Sequence, residues 1–184
     1  MKVAYLYPEH LGKKPTRLLQ VAATLRALAR QEAQVSFLVG RFVGLGTRLE
    51  ELELAAQAGL MIEPVAMWQP GPGLPLVFSW HQPYHMSVLR RLRRLSCQGF
   101  GWVMVRHLKL ADFLAPRLPG LGLKMLFEVH ELFSQTAREE GADPGRVVAL
   151  AAQEARVFWG AQALAAISRP WPRPWRLCPW WGGR

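Results

Sequence analysis

Short apolar runs alternate with amphipathic stretches along this chain, and the alternation predicts strands and helices in turn. Residues 2–7, KVAYLY, read as a first strand that Pro8 closes. A loop through Gly12 leads to Pro15, a favourable first helical residue. Leu18, Val21, Ala22, Leu25, Leu28 and Ala29 then recur at helical spacing, with Arg17, Arg26 and Arg30 elsewhere on the wheel. Residues 34–39 form a second strand, stopped by Gly40. A glycine-bearing loop to Gly46 precedes a helix over 47–58, with Gly59 in the C′ position, and 60–65 is a third strand.

A proline- and glycine-rich loop follows at 68–76. The stretch 81–97 contains a helix whose firm part is 87–95. Residues 101–105 are strand four, and 108–118 a short helix broken by Pro116. Strand five covers 123–129. A helix over 134–140 is interrupted by the G-A-D-P-G turn at 141–145, and another runs over 146–159. Residues 163–167 form strand six, ending at Ser168. Six strands alternating with helices predict an α/β fold, a parallel sheet covered on both faces. Right-handed crossovers make it a doubly wound, Rossmann-like sheet in the order 3-2-1-4-5-6.

The pattern changes after Ser168. Residues 169–184, RPWPRPWRLCPWWGGR, hold four of the eight tryptophans and no acid, and prolines at 170, 172 and 174 forbid a regular helix. Such a segment is either a proline-rich, aromatic, basic docking sequence or a GC-rich gene read out of frame. The second is the expectation: a Rossmann-like domain over 1–168, a tail over 169–184, and a following domain lost.

Composition narrows the class. With 184 residues, 51% hydrophobic and 20% charged, the chain reads as one globular domain. The apolar runs are too short for a membrane span, and the N-terminus lacks a secretory signal. Two cysteines without a C-x-x-C argue against a disulfide framework or cysteine zinc site. A cytoplasmic location follows as the expectation. The net charge of +10, mostly arginine, suits anionic partners or reflects GC-rich codons. No nucleic-acid module is present, so no specific nucleic acid is expected. Arg90, Arg91, Arg93 and Arg94 lie on a helix whose other side is Val88, Leu89, Leu92 and Leu95. That basic amphipathic face is a candidate for an anionic membrane surface, or simply a solvated face.

Ligands of open parallel sheets bind beyond the carboxyl ends of the strands, near the reversal of strand order. Strand one exits into Glu9 and His10, strand four into Arg106 and His107, and strand five into Glu128, His130 and Glu131. Three of the five histidines thus reach one rim. An imidazole can take a hydroxyl proton or hydrogen-bond a sugar, and a guanidinium forks onto phosphate or carboxylate. The structural alternatives are that Arg106 pairs with Glu9 or Glu128 and that His107 caps the next helix. His81 and His85, four apart, have Pro83 between them and no third ligand, so no metal site is expected. The glycines at 12, 40, 44 and 46 do not make a dinucleotide fingerprint.

MKVAYLYP at the start, WVMVRH at 102–107, LFEVHEL at 126–132 and EARVFWGAQALAAIS at 154–168 occur in a telling order. Together they resemble the N-terminal, acceptor-side domain of GT-B glycosyltransferases of the family 4 type. The resemblance covers residues 1–168. It implies half of a retaining, nucleotide-sugar-dependent enzyme built of two Rossmann-like domains facing a cleft, with a sugar or lipid-linked acceptor on this side. It places His130 near the transferred sugar as the catalytic candidate. Arg106, His107, Glu128, Glu131 and His10 would border the acceptor, and docking on the inner membrane face would fall to Arg90–Arg94. The family's glycine-rich loop is reduced here to Gly12, Lys13 and Lys14, near the donor phosphates. Against the family pattern, a C-terminal donor domain is expected to be missing. No cofactor is therefore expected for this chain, the nucleotide-sugar donor belonging to the complete enzyme, and the chain alone is expected to be inactive. The rival reading is a non-catalytic, basic binding or scaffold module for a membrane or protein partner.

Overall fold

The computed structural model describes residues 1–8, 15–42, 44–67 and 82–166. Within them the chain runs β1 (Lys2–Tyr7), α1 (Pro15–Arg30), β2 (Gln34–Gly40), α2 (Leu45–Glu51) and β3 (Leu60–Val65). It continues through α3 (Gln82–Cys97), β4 (Trp102–Val105), α4 (Leu108–Leu114), β5 (Lys124–Val129), α5 (Phe133–Glu139), α6 (Pro144–Gly160) and β6 (Ala163–Ala166). The strands form one parallel sheet in the order β3-β2-β1-β4-β5-β6. The fold is the Rossmann-like α/β sheet that the alternation predicts. His10, Gly12, Lys13, Lys14, His81, the 68–76 loop and residues 167–184 lie outside the described residues.

The topology follows from strand chemistry. In β1 every residue after Lys2 is buried, as both faces of a central parallel strand require. Its alternate side chains divide between two apolar layers. Val3, Tyr5 and Tyr7 face α1 and α2, packing with Leu18, Val21, Leu25, Leu45 and Leu49. Ala4 and Leu6 face the other way, packing with Val88 and Leu92 of α3 and Leu110 and Leu114 of α4. The chain builds β1, β2 and β3 outward with α1 and α2 on one face, then returns through α3 on the opposite face to lay β4 against β1. Strand order reverses at that β1–β4 seam, which fixes where a crevice opens.

Among the boundaries that differ from the sequence pattern, three have a clear local reason. The helix expected over 47–58 ends at Glu51. Glu53 takes a left-handed φ of 55°, the Leu54 amide donates to the Leu49 carbonyl, and the Glu53 amide donates to that of Glu50. That is a Schellman turn carried by glutamate, and it tucks Leu54 into the core beside Leu49. Gly59 is therefore no helix cap. Its φ of 77° belongs to the turn into β3, where a side chain would meet the Ala33 carbonyl at 3.2 Å. α4 stops at Leu114, two residues before Pro116. α6 starts early, because the Asp143 carboxylate accepts the Arg146 amide at 3.1 Å and Pro144 is the first helical residue.

Candidate functional site

A buried polar network lies on the α1 face of the sheet, against the carboxyl ends of β1, β4 and β5. Leu126 and Glu128 of β5 point to this face because Phe127, between them, fills the opposite layer. Glu128 is only 2% exposed. The Tyr5 hydroxyl, itself buried two strands away, donates to Glu128 Oε2 at 2.9 Å. His130, one residue past the end of β5, brings Nε2 to 3.1 Å from Glu128 Oε1. That is ion-pair range, but off the axis of an aligned hydrogen bond. Arg106, just past β4, donates from Nη2 to His130 Nδ1 at 3.2 Å and to Gln20 Oε1 of α1 at 3.3 Å.

The electrostatics agree with this arrangement. Burial works to push the Glu128 carboxyl up. The contacts from His130 and Tyr5 and the charge of Arg106 outweigh it, holding the carboxyl below its ordinary value. Glu128 is accordingly an anion at neutral pH. Tyr5 moves the other way: burial and the neighbouring Glu128 charge push its phenol well above 10. Tyr5 therefore keeps its proton and can only donate it in a hydrogen bond.

The residues expected at the rim divide clearly. Glu128, His130 and Arg106 are brought together. His107 serves locally: its Nδ1 accepts the Leu110 amide at 3.4 Å and caps α4. Of the two structural alternatives for Arg106, its charge acts on Glu128, while its Nη2 donates to His130 and Gln20. Glu131 is half-buried in the turn between His130 and α5. Arg90, Arg93 and Arg94 are exposed on α3, against the opposite face of the sheet, whereas Arg91 pairs with Glu63 of β3 at 3.4 Å. His85 stacks on Phe113 with ring centroids 5.0 Å apart, and no group of three or more His, Cys, Asp and Glu among the described residues could hold a metal.

Sequence reasoning missed three contributors. Tyr5 reads only as part of the first strand, and nothing in the helical pattern singles out Gln20. Glu154 opens the 154–168 motif with no role of its own legible in the sequence. Its carboxylate, 4% exposed within α6, accepts both the amide and the hydroxyl of Ser134. It thereby satisfies the start of α5 and ties down the loop that carries His130 and Glu131. The signal was available, since an acid at 154 interrupts the stripe of Val147, Leu150 and Val157 that otherwise faces the core.

No protein-family model and no curated protein matches the sequence. Among solved structures, the chain is similar to UGT89C1 of Arabidopsis thaliana complexed with UDP. The match has a TM-score of 0.52 at 12% identity and covers 91% of this chain and 45% of that one. It is also similar to MurG of Acinetobacter baumannii, with a TM-score of 0.49 at 16% identity, covering 93% of this chain and 43% of that one. The chain thus spans less than half the length of each. At this identity the likeness is one of fold alone: a Rossmann-like α/β sheet.

Proposed function

We propose that this chain is the acceptor-side domain of a retaining, nucleotide-sugar-dependent glycosyl transfer enzyme of the family 4 type, incomplete without a second Rossmann-like domain. The observation carrying this reading is the Arg106–His130–Glu128–Tyr5 network beside the β1–β4 seam where strand order reverses. Rossmann-like sheets bind ligands at that point. The shared fold with UGT89C1, of which this chain spans 45%, supports it. In this reading His130 borders the reacting sugar, with Arg106, Glu131, His107 and His10 along the acceptor and Glu128 beneath them. Gly12, Lys13 and Lys14 border the donor phosphates, and no cofactor takes part. A half-cleft orients an acceptor but leaves the donor nucleotide without its cradle.

Calorimetric titration of the purified chain with a panel of nucleotide-sugars tests this. Weak or undetectable binding and no turnover are expected, with transfer appearing only when a GT-B donor domain is supplied in cis. Tight donor binding with turnover by the chain alone would overturn it.

A second reading has its own observation. Arg90, Arg93 and Arg94 are exposed on α3 together with Met86, which is 50% exposed. Such a face suits peripheral binding to an anionic bilayer on the cytoplasmic side. No helix among the described residues is long and apolar enough to cross a membrane. Co-sedimentation with phosphatidylglycerol vesicles, abolished in an R90E/R93E/R94E variant, is the expected result.

A further inference from the structure

We infer that Arg106 and Glu128 are positioning residues that lock His130 in its Nε2–H tautomer, with both ring nitrogens turned into the protein. The argument begins with what each group can do. A guanidinium has donors only, so the 3.2 Å contact from Arg106 Nη2 requires Nδ1 of His130 to be the accepting nitrogen. In a neutral imidazole the proton then sits on Nε2. Nε2 is buried and lies 3.1 Å from Glu128 Oε1, off the axis of an aligned bond, so the anion acts on that proton as a neighbouring charge.

Each restraint is itself restrained. Tyr5 holds the other carboxylate oxygen at 2.9 Å, which fixes the rotamer of Glu128. Gln20 takes a second bond from the same Nη2 of Arg106, anchoring that nitrogen to α1. The ring is therefore set by three strands and one helix. This is the logic by which outer partners orient the histidines of metal and catalytic sites, applied here without a metal.

The consequence deepens the glycosyl-transfer reading and rests on it for the placement of His130 beside the sugar. A ring whose Nδ1 already accepts from Arg106 has no lone pair to take the proton of an incoming hydroxyl. In this arrangement His130 shapes the acceptor side with a ring edge and is not its general base. An anionic ligand group that draws Arg106 toward itself would be needed to expose Nδ1.

The test uses the full 184-residue chain and no ligand. Long-range proton–nitrogen correlation spectra of ring-labelled histidine, with His130 assigned by a His130→Asn variant, report the protonation of each ring nitrogen. The expected spectrum of the neutral ring shows one protonated Nε2 and one unprotonated Nδ1. Arg106→Met is expected to lose that single-tautomer signature, whereas Arg106→Lys, which keeps a donor, retains it. Tyr5→Phe tests the same network if Arg106→Met does not fold, and is expected to broaden the His130 signals. A protonated Nδ1, an exchanging mixture in the wild type, or an unchanged signature in both Arg106→Met and Tyr5→Phe would overturn the inference. Failure of the transfer assay leaves these spectra untouched, so the two readings fail separately.

Discussion

On the α3–α4–α6 side of the sheet, β5 contributes Met125, Phe127 and Val129 to a continuous apolar layer. On the α1 side the same strand contributes Leu126 and Glu128, and continues into His130. The two sides are separated by the thickness of one backbone and differ in kind. The first includes the tilted pair Phe127–Phe158, with centroids 5.9 Å apart; its buried phenol, Tyr84, donates to the Leu38 carbonyl at 2.7 Å. The second carries an anion, a guanidinium, an imidazole and a phenol in mutual contact. The period-2 alternation of a strand lets one element hold the fold with its odd residues and present chemistry with its even ones. Mutations should therefore sort by side.

The largest effect is expected on the apolar side. Phe127→Ala should cost about 3–5 kcal/mol in urea unfolding, as the transfer and cavity terms add. The His130 tautomer should survive in whatever fraction stays folded. A changed tautomer would show that the two sides are coupled.

Next comes Glu128→Ala, which takes the shared acceptor from Tyr5 and the counter-charge from Arg106. A loss of about 1–3 kcal/mol is expected from the buried groups left unsatisfied. Tyr5→Phe should cost about 1 kcal/mol, because Glu128 keeps its other partners. Equal losses for Tyr5→Phe and Glu128→Ala would mean the hydroxyl, not the carboxylate, is the centre of the network.

Acid sharpens the contrast. The folded Glu128 carboxyl is held below its unfolded value, so its stabilisation is complete above the ordinary glutamate pKa of about 4.3 and is lost as pH falls through the lower folded value. Unfolding measured at neutral pH and at about pH 3.5 should show the wild type losing more stability than Glu128→Gln. Parallel losses would remove Glu128 as the titrating group. The smallest effect belongs outside both layers. Arg156 forks onto Asp112 at 2.8 and 2.9 Å on the surface, and Arg156→Ala should leave the unfolding midpoint nearly unmoved.

Strand order, the two-layer build and the meeting of Arg106, Glu128 and His130 were all legible in the sequence. They depend on apolar periodicity and on the rule for strand exits, both of which are local signals. Tyr5 was not legible. Nothing near it names its partner, and only the register placing Tyr5 opposite Met104, and Met104 opposite Leu126, brings its face to Glu128. The left-handed Glu53 was hidden for a related reason. Burying Leu54 outweighs the cost of that backbone, and burial is a tertiary fact. His107 was legible only as a pair of alternatives, and the local one, the helix cap, is what its Nδ1 does.

The position of β1 in the sheet has a consequence for how the chain is made. Tyr5 is synthesised 123 residues before Glu128, roughly 6–25 s earlier at translation rates of about 5–20 residues per second. In that interval β1 can pair with β2 under α1, but its opposite edge must wait for β4. The polar network thus forms only once β5 has emerged, well after β1 and β2 can pair. A nascent chain holds Tyr5 in an unfinished layer, so a slowly translated message would lengthen the time that open edge faces other chains.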